Sequence, residues 1–297
     1  MEHNVGIIGL GNMGKEIAMR LSAKHQVYGY DVSDINKAEV EKEGVIFTTL
    51  EELVLKSKYI FLSLPNAKIS KSICKEIVSY INSEIIVIET STVLPHDVKE
   101  LETILNERNV KVVDAAILGG VKHVNEGRAS FSVGGNENAI SEITDILLTL
   151  GKEVNVIGNL GTGMAAKVIN NGIAHNVMVL IMEAASIGRK LGIEPDKIFG
   201  ILKGETTFDR PLNYRYKELV QQHQYEGGMS TLNAQKDSTL ILELAQQLKV
   251  PIFTIQASQT VYDIAVNEDL GHLDYASIAT LWEKWCEISF LDEKGVK

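Results

Sequence analysis

Short runs of apolar residues recur along the first half of the chain, at 5–10, 27–30, 59–64, 85–89, 110–113, 131–133 and 154–157. The runs are continuous rather than alternating, as in strands covered on both faces. Between them, apolar residues return at helical spacing over 12–24, 50–56, 69–80, 95–108 and 138–150. Strand and helix taking turns predict an α/β fold on a parallel, doubly wound sheet. After Gly158 the texture changes. One long helical stretch covers 162–190 and ends near Gly192 and Pro195, which act as stop signals. Further helical segments follow at 195–202, 214–222, 234–248, 252–266 and 275–287, with few strand-like runs. The pattern therefore divides the chain into an α/β domain, 1–160, and an all-α domain, 161–297, joined by the long helix. Within that helix the charge-free stretch 168–182 carries Asn170, Asn171, His175 and Asn176. It falls short of the ~20 apolar residues that span a bilayer, and a buried helix is expected.

Composition narrows the class. A length of 297 residues suits two domains, and 45% hydrophobic with 23% charged residues suits a soluble globular chain rather than a disordered one. The net charge of −10 repels phosphate backbones, so neither nucleic acid nor an anionic membrane is an expected partner. Cys74 and Cys286 stand far apart with no second ligand at metal spacing, so no disulfide framework and no metal site is expected. The start, Met1-Glu2-His3-Asn4, has no basic region and no cleavage site. A cytoplasmic setting is expected.

Twenty-four Gly against five Pro leave the glycines to be explained by position. Gly9-Leu10-Gly11-Asn12-Met13-Gly14 follows a predicted strand and opens a predicted helix. The first Gly permits the tight turn, the second lets backbone approach a pyrophosphate, and the third lets helix and strand pack closely. The helix N-terminus offers free N–H groups to that pyrophosphate. This context predicts a Rossmann-type domain. The second strand ends at Asp31, whose carboxylate suits an adenosine ribose diol and repels a 2′-phosphate, and no Arg follows at Val32 or Ser33. NAD is thus favoured over NADP. The alternative is that the turn only serves packing and Asp31 caps the next helix. Leu64-Pro65-Asn66, at the carboxyl end of a buried strand, reads either as a second cofactor contact or as a strand ended by Pro for its own sake.

Lys167, Asn171 and His175 stand four apart on the long helix and share a face. A Lys lowered in pKa by burial accepts a hydroxyl proton as hydride leaves the same carbon, and Asn171 can orient the Lys or the oxygen. Alternatively Lys167 snorkels to solvent and the Asn residues pack.

The ordered set Gly9 to Gly14, Leu64-Pro65, Ser91-Thr92 with Pro95, Asp114-Ala115 with Gly119-Gly120, Gly161 and Gly163 with Lys167 and Asn171, and Lys236-Asp237 resembles the β-hydroxyacid dehydrogenase family over nearly the whole chain. That family includes 3-hydroxyisobutyrate dehydrogenase and is related to 6-phosphogluconate dehydrogenase. The resemblance implies a nicotinamide-dependent oxidoreductase acting on a small 3-hydroxy acid or related alcohol, giving a semialdehyde or aldehyde. It implies Lys167 as acid/base, supported by Asn171. Ser91 and Thr92 would lie beside nicotinamide and substrate, and Leu118, Gly119 and Gly120 would form the substrate loop. Lys236 would line the cofactor site, with Asp237 near the substrate. A homodimer or homotetramer is implied as well, in keeping with the apolar faces of 173–191 and 252–266.

The chain departs from its relatives at Asp114-Ala115-Ala116-Ile117-Leu118-Gly119-Gly120, where Leu118 replaces a hydroxyl that donates to a substrate carboxylate. Losing that donor would cost about 1.5–3 kcal/mol, so either the substrate lacks that carboxylate or another group binds it; Lys122, His123, Arg210 and Arg215 are candidates, each also readable as an ordinary surface residue. Glu89 stands where the family often has Asp. The apolar Ala116 to Leu118 is similar to the imine reductases, which use NADPH and lack the Lys; C=N reduction is the second chemistry. A catalytically silent dinucleotide-binding module is the third alternative, and the retained Lys167 counts against it.

Overall fold

The computed structural model describes residues 3–108 and 110–291. Met1 and Glu2, at the head of the expected first domain, and 292–297, at the tail of the second, lie outside them. The chain divides into two compact units between Gly172 and Ile173.

The first unit runs β1 (Asn4–Ile8), α1 (Asn12–Ser22), β2 (Gln26–Tyr30), α2 (Lys37–Lys42), β3 (Ile46–Phe47), α3 (Leu50–Lys56), β4 (Tyr59–Leu62), α4 (Ala67–Ile77), β5 (Ile86–Glu89), α5 (Pro95–Leu105), β6 (Lys111–Leu118), α6 (Val121–Asn125), β7 (Ala129–Gly135), α7 (Glu137–Leu150) and β8 (Gly151–Gly158). The strands form one sheet in the order β3-β2-β1-β4-β5-β6-β7-β8. Every neighbouring pair is parallel except β6 and β7. The sheet is thus mostly parallel and doubly wound, as the pattern predicts, with one antiparallel pair. A parallel return needs a crossover of a dozen or more residues, and the link between Leu118 and Ala129 holds only the short α6.

Alternate side chains of the parallel strands feed two cores. Ile7, Phe61, Ile88 and Val113 pack on one face with residues of α1 and α7. Ile8, Leu62, Val87 and Val112 pack on the other with α3, α4 and α5. Burial on both faces is why these strands read as unbroken apolar runs.

Helix α8 (Thr162–Lys190) begins in the first unit and continues into the second. The second unit adds α9 (Pro195–Leu202), a wide π-helical segment over Arg210–Val220, α10 (Thr231–Leu248), α11 (Thr254–Asn267), a 3-10 turn and α12 (Ala279–Cys286). The carboxylate of Glu183, buried on α8, accepts from the amides of Phe253, Thr254 and Ile255 and so caps α11. The expectation that 168–182 is buried is corrected. Ile169, Ile173, Met178 and Met182 are all more than half exposed in the single chain, because the small core clusters of the second unit cover little apolar surface. Among the described residues, no helix is long and apolar enough to cross a membrane.

Candidate active site

The glycine turn sits where the strand order reverses, between β1 and β4, the place at which open α/β sheets bind ligands. Gly9 has φ +93°, and a Cβ there would lie 2.3 Å from the Ser63 carbonyl oxygen. A Cβ on Gly14 would lie 1.8 Å from Gly9 O, so helix and turn touch backbone to backbone. At Gly11 a Cβ would meet nothing within 4 Å; that space is part of the cleft itself. Gly11 is the N-cap of α1 and no side chain caps the helix, which leaves the first N–H groups, from Asn12 to Gly14, to bind an anion.

The cleft encloses about 360 Å³, bordered by Gly11, Met13, Asp31, Val32, Leu64 and Pro65. Both oxygens of Asp31 are held: Leu10 N donates to Oδ2 at 2.6 Å and Ser33 N to Oδ1 at 2.8 Å. Leu10 O in turn accepts from Asn36 Nδ2. A free-ended helix, an open Gly11 and a fixed carboxylate at the neighbouring strand end match the phosphate and ribose ends of a dinucleotide. Asn66 stands beside this cleft, but its side-chain oxygen accepts from Ile69 N and caps α4.

At the end of β5 and midway along β6, two buried carboxylates organise the rest. Glu89 and Asp114 are register partners on adjacent parallel strands, so their side chains leave the same face of the sheet. Asp114 takes Gly161 N at 2.7 Å on one oxygen and Met164 N at 2.6 Å on the other, clamping the start of α8. Burial pushes its pKa up while those amides oppose the shift. The clamp depends on small residues: a Cβ at Gly163 would lie 2.4 Å from Ser132 O and 2.8 Å from Asp114 Oδ2. Glu89 is fully buried and accepts from Ser91 N at 2.7 Å. The Ser91 hydroxyl is buried as well. It accepts from Leu64 N at 2.8 Å and donates toward Leu62 O, while the neighbouring Thr92 is exposed.

The clamp sets the height of Lys167 on α8. Its Nζ donates to Ile117 O at 2.7 Å, one residue before Leu118 and at the root of the Gly119-Gly120 turn. Half-buried, Lys167 loses water around its ammonium, and its pKa falls below the ordinary 10.5. Asn171 is half-buried one turn further on, and His175 beyond it is exposed. Gly119 has φ +133°, and the Gly120 N–H points at His123 Nδ1, 3.2 Å away.

The first unit therefore brings together the glycine turn, Asp31 and Leu64-Pro65 at one cleft, and Lys167 with Leu118 and Gly119 at the end of β6. In the second unit, Lys236 and Asp237 are exposed on α10 and form an ion pair with each other at 3.1 Å. Arg215, a candidate for a substrate carboxylate, is engaged elsewhere. It is buried, pairs with the fully buried Asp274, and stacks 3.9 Å from the Tyr275 ring centre. Lys122 and Arg210 are exposed. The roles of Asp114 and Glu89 as clamps escaped the sequence reading. A charged residue inside an apolar strand run was the available signal, because such a group must find donors once buried.

Residues 4–158 match the family model described as the NAD binding domain of 6-phosphogluconate dehydrogenase. Residues 161–282 match the model described as NAD-binding of NADP-dependent 3-hydroxyisobutyrate dehydrogenase. Among curated relatives, 2-(hydroxymethyl)glutarate dehydrogenase of Eubacterium barkeri is 26% identical over 290 residues, covering 96% of each chain. The mitochondrial 3-hydroxyisobutyrate dehydrogenase of Drosophila melanogaster is 27% identical, covering 95% of this chain and 90% of its own. Two solved structures share the fold. An imine reductase from Pseudomonas sp. superposes with a TM-score of 0.84 at 18% identity, over 94% of this chain and 99% of its own. The Mycobacterium tuberculosis 3-hydroxyisobutyrate dehydrogenase, solved with L-serine, does so at 0.67 and 23%, over 95% and 99%. With both halves matched in order, the chain belongs to the β-hydroxyacid dehydrogenase family, among the NAD(P)-dependent enzymes related to 3-hydroxyisobutyrate dehydrogenase.

Proposed function

We propose that the chain is an NAD(H)-dependent oxidoreductase interconverting a small 3-hydroxy acid, or a related alcohol, with its semialdehyde or aldehyde. The observation that carries this reading is the setting of Lys167: fixed by the Asp114 clamp, half-buried, its ammonium 2.7 Å from Ile117 O beside the Gly119 turn. A lysine whose pKa is lowered by burial exchanges a proton nearer neutrality than a solvated one. The turn from Gly9 to Gly14, with Asp31, Leu64 and Pro65, would hold the dinucleotide, which supplies the hydride acceptor or donor when bound. In oxidation Lys167 Nζ takes the substrate hydroxyl proton, and in reduction its ammonium returns one to the carbonyl oxygen. Asn171, one helical turn away, orients that oxygen with its amide. Thr92, Leu118, Gly119 and Gly120 border the substrate. Ser91 acts from behind them through backbone. Lys236 as a cofactor contact and Asp237 as a substrate contact rest on the resemblance of their motif alone.

Lys167→Ala is expected to lower turnover by roughly 10²- to 10⁴-fold while leaving NADH binding, read by fluorescence, unchanged. Retention of most turnover with intact binding overturns the assignment. One observation favours a second reading, C=N reduction: Leu118 presents hydrocarbon at the loop. Following NADH absorbance with small hydroxy acids, semialdehydes and cyclic imines separates the two, and activity confined to imines selects the second.

A further inference from the structure

Glu89 carries the one carboxylate oxygen among the described residues that is buried without a well-formed hydrogen bond, Oε2, and the buried Ser70 hydroxyl on α4 faces the carboxylate and favours its anion. Its other oxygen begins a short relay. Ser91 N donates to Glu89 Oε1 at 2.7 Å, and Leu64 N donates to Ser91 Oγ at 2.8 Å. One end of the relay is the backbone of Leu64, which borders the dinucleotide cleft. The other is the Ser91-Thr92 corner, where β5 gives way to the exposed Thr92. Thr90 Oγ1 adds a bond to Leu62 O at 2.7 Å, so both strand ends are tied at this level.

We propose that Glu89 is a positioning residue that sets, through Ser91, where the Leu64-Pro65 backbone and Thr92 stand relative to each other. A structural filler at this site would be apolar, since it projects among Leu62, Cys74 and Val87. A carboxyl group there is costly unless the corner needs its acceptor. The groups facing it are Ser70 and Cys74 on α4 and the Ser91 and Thr90 amides of its own corner, with Asp114 as register neighbour on β6. Burial raises the Glu89 pKa to about 7 and the Cys74 thiol to about 12, so Glu89 alone of that pair changes charge near neutrality. Below about pH 7 it is a neutral acid accepting one bond. Above it, the anion draws the Ser91 amide more strongly and leaves a charged oxygen facing Ser70.

The inference rests on the reading of this site as a dinucleotide-dependent one, and its test is read first by binding. Full-length wild type, Glu89→Gln and Glu89→Leu are titrated with NADH by fluorescence across the pH range on either side of 7, and kcat and KM are then measured where a substrate is known. Wild type is expected to show a several-fold change in NADH affinity with a midpoint near 7. Glu89→Gln keeps an acceptor for Ser91 N but cannot ionise, and it should bind with a flat profile close to the low-pH value of wild type. Glu89→Leu removes the acceptor and should weaken binding several-fold and lower kcat about tenfold. Identical pH profiles in wild type and Glu89→Gln overturn the proposal, as does a folded Glu89→Leu with wild-type binding. Should Glu89→Leu fail to fold, the Gln profile decides. Loss of the pH step in Glu89→Gln sustains it even if Lys167→Ala refutes the proton-transfer role.

Discussion

Asp31 is held at both oxygens by backbone amides, from Leu10 and Ser33. A carboxylate fixed in this way keeps lone pairs on its open side for a ribose diol and cannot swing away from a 2′-phosphate. Asp31→Ala is therefore expected to narrow the proposed preference for NADH over NADPH by about tenfold, the worth of one charge-assisted hydrogen bond. Comparing kcat/KM for the two cofactors at equal concentration checks it, and an unchanged ratio would move the preference to other residues. Gly9, Gly11 and Gly14 were legible in sequence because their constraint is local and steric, whereas Lys167 stood out as a cation on an apolar helix but took its role only from the family resemblance. Ser91, Asn66 and Arg215 were less so. Each can serve a ligand or its own fold, and only the partner chooses: Leu64 N for Ser91, Ile69 N for Asn66, Asp274 for Arg215.

Among elements, the decisive joint is between β6 and α8. Asp114 satisfies two amides at the start of a 29-residue helix, where orphan N–H groups would otherwise be buried. Asp114→Ala leaves them unpaired, at about 1–3 kcal/mol, and loosens the first turn, on which the turn carrying Lys167 is built. Denaturant unfolding should show that loss, and kcat should fall more than NADH affinity; a variant of wild-type stability would deny the clamp. Most helices of seven residues or more were readable from periodicity, with α3, α8 and α9 matched to the residue. The two-residue β3 and the short α2 and α6 lack the length for a period to register. The reversal between β6 and β7 was hidden because strand direction depends on connection length, which apolar runs do not encode.

For the molecule as a whole, apolar side chains left in the open are the clearest demand for a partner. Ile173, Met178 and Met182 on α8, with Phe199 and Phe253, are each at least half exposed, more than scattered surface hydrophobics require. We propose self-association through the second unit, so that sedimentation should give a mass above the 32.7 kDa of one chain; a 32.7 kDa species alone would remove the proposal. In the first unit the strand reversal has a further effect. In a wholly parallel sheet the last strand exits at the carboxyl edge, and a helix after it heads away from the ligands gathered there. Here β8 runs with β7 and against β6, and its last residue, Gly158, lies level with Gly134, Asp114 and Glu89, where β4 and β5 end. Helix α8 starts at the level of Asp114 and climbs beside β6 until Lys167 reaches Ile117 O. One inverted strand pair thus sends the helix on along the second half of β6, from Asp114 to Ile117, rather than back down the sheet.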